Sequence, residues 1–282
     1  MKNLAEISKE PILPRNFMSV AVGLISEESI LFAAESQTTR DKLKMLGTNK
    51  VSVLTFANGE NAIVAQAGNA DRSARVVEIM ENMALSENIK DHDTLSEITR
   101  KSISQARNEM RAQMFNCSAE ELQEYIWKHE QDCWIMTGHY FKGTPMLHTG
   151  NFAQGICSRV TTSKRSDFSP RLFATIGTGS DLAFYLLNQY ISSDMEFNAS
   201  FAVLLYVLNE IKSHDAYCGG DTHFVFLEKS DTVAIRLDQD IVNDIERAIR
   251  ETVESAQKSR TLQMTNALEK VAKKWGKELG VE

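Results

Sequence analysis

From residue 19 the chain alternates short apolar runs with short polar breaks. SVAVGLIS (19–26), SILFAAES (29–36), VSVLTFA (51–57) and NAIVAQAG (61–68) are rich in β-branched or aliphatic residues, as expected of strands packed on a sheet face. Glu27-Glu28 and Asn58-Gly59 separate them, and Asn-Gly is the clearest hairpin turn. The period then lengthens. Val76, Val77, Met80, Met83 and Ala84 recur at helical spacing, as do Leu95, Ile98, Ile103, Ala106, Met110 and Met114. Thr94, with Glu97 three residues on, predicts a capping box for the second helix, and 117–131 reads as an additional polar helical insertion.

Strand texture returns in CWIMTGHYF (133–141) and TPMLHTGN (144–151), interrupted by Lys142-Gly143 and followed by a basic loop at 159–171. FATIGTG (173–179) leads into DLAFYLLNQYI and FAVLLYVLNEI, which are apolar nearly all round and predict helices covered on more than one side. THFVFLEK and TVAIRL close the strand set, and 240–278 is a long amphipathic helix with Ile241, Ile245, Ala248, Ile249 and Val253 on one stripe. Strand blocks followed by helix pairs predict an α+β fold, with two antiparallel sheets between helix layers, rather than alternating βαβ units. The expected division is a leader-like arm at 1–18, a body at 19–239 and a C-terminal helical extension at 240–282.

Composition narrows the function. The 282 residues carry 43% hydrophobic and 24% charged side chains and a net charge of −7, ordinary globular values that argue against a general nucleic-acid binder. The longest apolar run, Phe201 to Leu208, is far shorter than the ~20 residues that span a bilayer. The N-terminus is charged and interrupted by Pro11 and Pro14, so it has no signal-peptide core. Cys117, Cys133, Cys157 and Cys218 show no framework spacing, which predicts free thiols and a cytoplasmic protein.

Four local patterns are candidates for chemistry. SHDAYCGGD (213–221) puts Asp215 three residues before Cys218 and follows them with Gly219-Gly220, a path residues with a Cβ resist. Taken by itself it is a helix C-cap. IGTGSD (176–181) stands where a strand enters a helix, with Ser180 or Thr178 as the expected N-cap. AAESQTTR (33–40) offers Glu35, with Lys50 at the start of the next strand; such a pair matters when it is buried beside a nucleophile. AGNAD (67–71) has a glycine between strand and helix, able to aim a backbone N–H at an oxyanion. His139, His148, His214, Cys218 and His223 match no metal-ligand spacing, and satisfied structural histidines are expected, with neither metal nor cofactor.

Together these motifs resemble the proteasome β-subunit family of N-terminal-nucleophile hydrolases, in consistent order across 19–237. Ser19 stands at the head of the first strand, followed by AAES (33–36), Lys50, AGNAD, GTGS (177–180) and DAYCGG (215–220). The resemblance implies a four-layer αββα sandwich and peptide-bond hydrolysis. Ser19 would be the nucleophile, its free α-amine the base, Lys50 the electrostatic activator and Glu35 the group that positions Lys50. Gly68 would supply the oxyanion N–H, with Thr178, Asp215 and Cys218 as the supporting polar shell. Thr39, Gln66 and Ala70 would line the substrate cleft. The implied partners are a peptide or unfolded-protein substrate, a ring-forming homo-oligomer and a regulatory cap, with no nucleic acid and no membrane.

The chain departs from the family pattern in Ser for Thr at 19, Glu for Asp at 35, Gln for Arg at 37 and Cys for Ser at 218. Ser19 also follows Met18, so its nitrogen is an amide until residues 1–18 are absent, by self-cleavage or by translation starting at Met18. The alternatives are a catalytically inactive structural subunit and a small-molecule amidase of the same superfamily.

Overall fold

The computed structural model describes residues 19–40, 43–45, 47–114, 116–129, 132–160, 172–192, 195–216, 218–230 and 233–279. The arm at 1–18 and residues 161–171, with most of the basic loop, lie outside them. Strands β1 (Val20–Ile25), β2 (Ser29–Glu35), β3 (Thr38–Arg40), β4 (Leu43–Met45), β5 (Val51–Thr55) and β6 (Asn61–Gly68) come first. Helices α1 (Ala70–Ala84), α2 (Thr94–Gln113) and α3 (Ala119–Lys128) follow, then β7 (Cys133–Phe141), β8 (Thr144–Asn151), β9 (Ile156–Val160) and β10 (Phe173–Gly177). The chain ends with α4 (Ser180–Tyr190), α5 (Phe197–His214), β11 (Thr222–Glu228), β12 (Ala234–Arg236) and α6 (Gln239–Leu279).

Two antiparallel five-stranded sheets result, one ordered β10-β1-β2-β11-β12 and the other β5-β6-β7-β8-β9. Period-two alternation decides the layering. In β1, Val20, Val22 and Leu24 join a core with Leu204, Leu205 and Leu208 of α5, while Ala21 and Ile25 face the other sheet beside Val51, Ile63 and Met136. On the far side of the second sheet, Leu54, Val64 and Ile135 pack under Val76, Met80, Leu95 and Ile98 of α1 and α2. The fold is therefore α+β, two sheets between helix layers.

Local details differ from the sequence expectation where side-chain hydrogen bonds compete. Asp93, not Thr94, is the N-cap of α2; the Thr94 hydroxyl instead accepts from the Lys90 and Asp91 amides. The capping box forms one helix later, between Ser118 and Glu121. Gly179, not Ser180 or Thr178, caps α4. Arg159, read as loop, lies on β9, an edge strand whose burial does not alternate and so left no period-two signal. On α6 the stripe is displaced: Ile241 and Ala248 are exposed, while Val242 and Glu246 are buried.

Glu246 is buried because it has partners. Lys212 Nζ donates to Glu246 Oε1 at 3.0 Å and to Thr222 Oγ1 at 2.6 Å, and the Thr222 hydroxyl donates to the same carboxylate. This triad ties α6 to α5 and β11. Removing one member leaves a nearly buried charge without its partner, so Glu246→Ala is expected to cost about 3 kcal/mol in urea unfolding. A loss below ~1 kcal/mol would show the triad to be incidental. Among the described residues no helix is long and apolar enough to cross a membrane.

Candidate active site

Glu35 ends β2 with no exposed surface, and Lys50 precedes β5 almost as deeply buried. Their side chains form an ion pair at Glu35 Oε1. The same oxygen accepts the Val20 amide at 3.2 Å. Oε2 accepts the Gln37 amide at 2.6 Å and the Gly219 amide at 3.3 Å, and Lys50 Nζ donates also to the Gln37 carbonyl. One carboxylate thus joins the start of β1, the chain after β2, the glycine pair after α5 and the lysine. Burial pushes the Glu35 carboxyl up and the Lys50 ammonium down, and the attraction between them opposes both shifts.

Ser19, 2% exposed, is held on its other side by Thr178. Its N–H points to Thr178 Oγ1 at 3.4 Å, and the Thr178 hydroxyl donates to the Ser19 carbonyl at 3.3 Å. The turn that presents Thr178 depends on Gly177, at φ 96°, where an added Cβ would lie 2.0 Å from the Ser19 carbonyl oxygen. Strained backbone and backbone overlap combine at this position, so Gly177→Ala is expected to cost more than about 3 kcal/mol. A melting temperature within a degree or two of wild type would refute that packing.

The remaining turns converge here. An added Cβ at Gly177 would also lie 3.1 Å from Ala67 Cβ, which brings the end of β6 beside Ser19. Gly68, at φ 95°, is closed in by the Asp132 carbonyl, 2.7 Å from where its Cβ would be. A Cβ on Gly179 would lie 3.4 Å from Cys218 Sγ, and that thiol donates to Asp215 Oδ2 at 3.6 Å. Burial pushes the Cys218 thiol up, helped by the Glu35 and Asp215 carboxylates. Gln66 Nε2 donates to the Asn49 carbonyl at 3.3 Å, just before Lys50. Ala70 opens α1, half-buried, and Thr39 lies in β3 opposite Lys44. Tyr217 of the DAYCGG motif is outside the described residues.

Two roles carried no sequence signal. Gln37 lends Lys50 its carbonyl, a main-chain role that any residue can fill. Asp132, nearly buried, accepts the Cys133 and Ala153 amides at 2.8 Å each and Asn151 Nδ2 at 3.0 Å, while its carbonyl takes the Asn69 amide at 2.9 Å. It fixes the chain against Gly68. Among the described residues no group of three or more His, Cys, Asp or Glu side chains is placed to hold a metal ion. His139 and His148 are buried, as expected of structural histidines, but their ring nitrogens have no hydrogen-bond partner among the described residues.

No protein-family model matches the sequence, and no curated protein does. Solved structures do. Anbu from Hyphomicrobium sp. strain MC1 superposes with a TM-score of 0.62 at 16% identity, covering 85% of this chain and 97% of that one. Anbu from Yersinia bercovieri, described as an ancestral beta-subunit, gives 0.63 at 15% identity, covering 84% and 95%. This chain has the Anbu fold. The Anbu complex from Pseudomonas aeruginosa, at 0.62 and 14% identity over 85% of this chain and 96% of that one, forms a helical assembly. That finding overturns the expected ring-forming homo-oligomer. A head-to-tail interface closes a ring only when its rotation divides the circle with no rise, and otherwise winds into a helix. Site motifs carry no information about that angle.

Proposed function

We propose that with Ser19 joined to Met18 this protein is a catalytically silent structural member of the proteasome-like, Anbu-fold group, and that freeing the Ser19 amine makes it a peptide-bond hydrolase. The silent form is favoured by the state of Ser19 in the full chain: its nitrogen is a buried amide, which has no proton-accepting pair to offer. The latent site rests on one observation. Glu35 Oε1 takes both the Lys50 ammonium and the amide that follows Ser19, so the lysine nitrogen lies within two hydrogen-bond lengths of that amide.

In the freed form the α-amine, with an ordinary pKa of roughly 7.7–8.0, accepts the Ser19 hydroxyl proton as Oγ attacks the scissile carbonyl carbon. Lys50 biases both groups electrostatically, and Glu35 positions it. The Gly68 N–H receives the developing oxyanion. Collapse passes the proton to the leaving amine, and water then hydrolyses the acyl ester. Thr178, Asp215 and Cys218 support the site, and β3 at Thr39 accepts the peptide as an added strand, with Gln66 and Ala70 beside it. The arm at 1–18, the body at 19–239 and the C-terminal extension at 240–282 are the units of this scheme. Four free cysteines suit a cytoplasmic setting.

A peptide epoxyketone tests the proposal because it condenses with both hydroxyl and free amine. Mass spectrometry should find it on Ser19 of a chain beginning at Ser19 and on no residue of the Met1 chain. A Ser19-initiated chain that stays unlabelled, by this probe and by a peptide boronate, leaves the structural role without a latent enzyme.

A further inference from the structure

One cluster lies apart from Ser19 and has no part in the chemistry above. Strand β7 alternates: Met136 and Gly138 face the first sheet, whereas Ile135 packs under α1 and α2. Thr137 and His139 share the Ile135 face, and His148 on β8 pairs directly with Thr137. His139 and His148 have no exposed surface, and their rings lie 6.0 Å apart at 18°. All four of their nitrogens, the Thr137 hydroxyl and His92 Nδ1 are buried without a hydrogen-bond partner among the described residues. Six buried polar atoms in one place lack a partner among the described side chains and backbone groups, and a buried polar group left unpaired is costly.

The neighbours decide what the pair can take up. From the α1–α2 connection come His92, its ring edge-on to Phe141 at 4.8 Å, and Asp93; from β9 comes Arg159, with Nη2 3.4 Å from Met146 Sδ. A metal cation fits poorly. Near-parallel rings hold their in-plane lone pairs in near-parallel planes, and the Arg159 guanidinium repels the ion. A proton meets the same repulsion in the closed protein but not once the ring reaches water.

We propose that His139 and His148 form a buried pair of latent proton acceptors through which acid opens the α1–α2 layer from the second sheet. Burial first, and then His148, His92 and Arg159, hold His139 at about 3; burial and Arg159 hold His148 at about 4, against a small opposing pull from Asp93. Both lie below the ordinary histidine value of ~6.5. The sign follows: above ~6.5 neither state binds the protons, and as pH falls toward the closed-state values the opened state gains them first. The closed layer is stable at neutral pH and weakens in acid. If both rings are released, opening is favoured roughly several hundred-fold more at pH 5 than at pH 7.5.

Hydrogen exchange on the full chain, corrected for the intrinsic rate, measures this directly. Amides of α2 should gain several hundred-fold in opening between pH 7.5 and 5, and those of α4 and α5 far less. The double variant His139→Leu/His148→Leu should lose most of the α2 response. An unchanged response in that variant, or a pH-independent α2 in wild type, overturns the proposal. If the variant does not fold, deuterium exchange at the histidine C2 positions of wild type replaces it. Two imidazoles titrating below pH 5 are expected, and titration of both near 6.5 rejects the pair.

Discussion

A chain beginning at Ser19 is expected to hydrolyse a fluorogenic peptide amide, and Ser19→Ala in that chain to slow hydrolysis by about 10⁴-fold. The full chain, with Met18 in place, should show the same residual rate as the alanine variant. The equality is the informative part. Loss of the hydroxyl removes the nucleophile, whereas the Met18–Ser19 bond removes the base and leaves the hydroxyl in place; if one residue supplies both, either change abolishes the covalent route. About 10⁴-fold corresponds to ~5 kcal/mol of transition-state stabilisation. The rate should also fall as pH drops through the amine's pKa, which Lys50⁺ nearby holds at or below the ordinary roughly 7.7–8.0. Acetylating the new N-terminus should silence the chain as fully as Met18 does. Hydrolysis that survives Ser19→Ala would assign the activity to another group or to a contaminant.

Much of this candidate site's geometry was legible because its parts are held by glycines and by charges that only burial makes useful. Gly68, Gly177 and the Gly219-Gly220 pair stand where φ is positive or where a neighbouring chain or side chain leaves no room for a Cβ, and such positions mark a sequence clearly. Glu35 and Lys50 were legible as a buried pair only through the family resemblance, since their spacing by itself fits an exposed contact equally well. The roles of Gln37 and Asp132 escaped because Gln37 acts through its main-chain carbonyl and the Asp132 carboxylate holds groups distant in sequence. The strand and helix blocks followed from periodicity, and the errors in them fell at helix caps, at the edge strand β9 and on the α6 stripe. Thr94 has the right side chain for a cap and spends it on the loop before the helix. The stripe on α6 was displaced because Glu246, charged and thus expected outside, is drawn in by Lys212 and Thr222. Long-range pairing of this kind leaves no local pattern.

Lys50→Met is expected to destabilise the protein by about 3–5 kcal/mol at pH 7.5, because it leaves the Glu35 carboxylate buried without its cation. Glu35→Leu should cost at least as much, since it also takes the acceptor from the Val20, Gln37 and Gly219 amides. The two differ in pH dependence. With the lysine gone, burial raises the carboxyl further and the group can take a proton; a folded-state pKa above the unfolded value of ~4.3 gives stability that is present in acid and lost as pH rises. The Lys50→Met penalty, measured against wild type at each pH to cancel the histidine pair, should therefore shrink from pH 7.5 to 5.5. The Glu35→Leu chain has no such group, so what remains unpaired is the Lys50 ammonium, already pushed down by burial. That penalty should shrink as pH rises instead. Joining both changes in one chain should cost less than their sum by about 1–3 kcal/mol, the three stranded amides accounting for what is not recovered. Strict additivity in urea unfolding would mean that Glu35 and Lys50 do not act as a pair. The activating role of Lys50 would lose its structural basis even if a Ser19-initiated chain proved active.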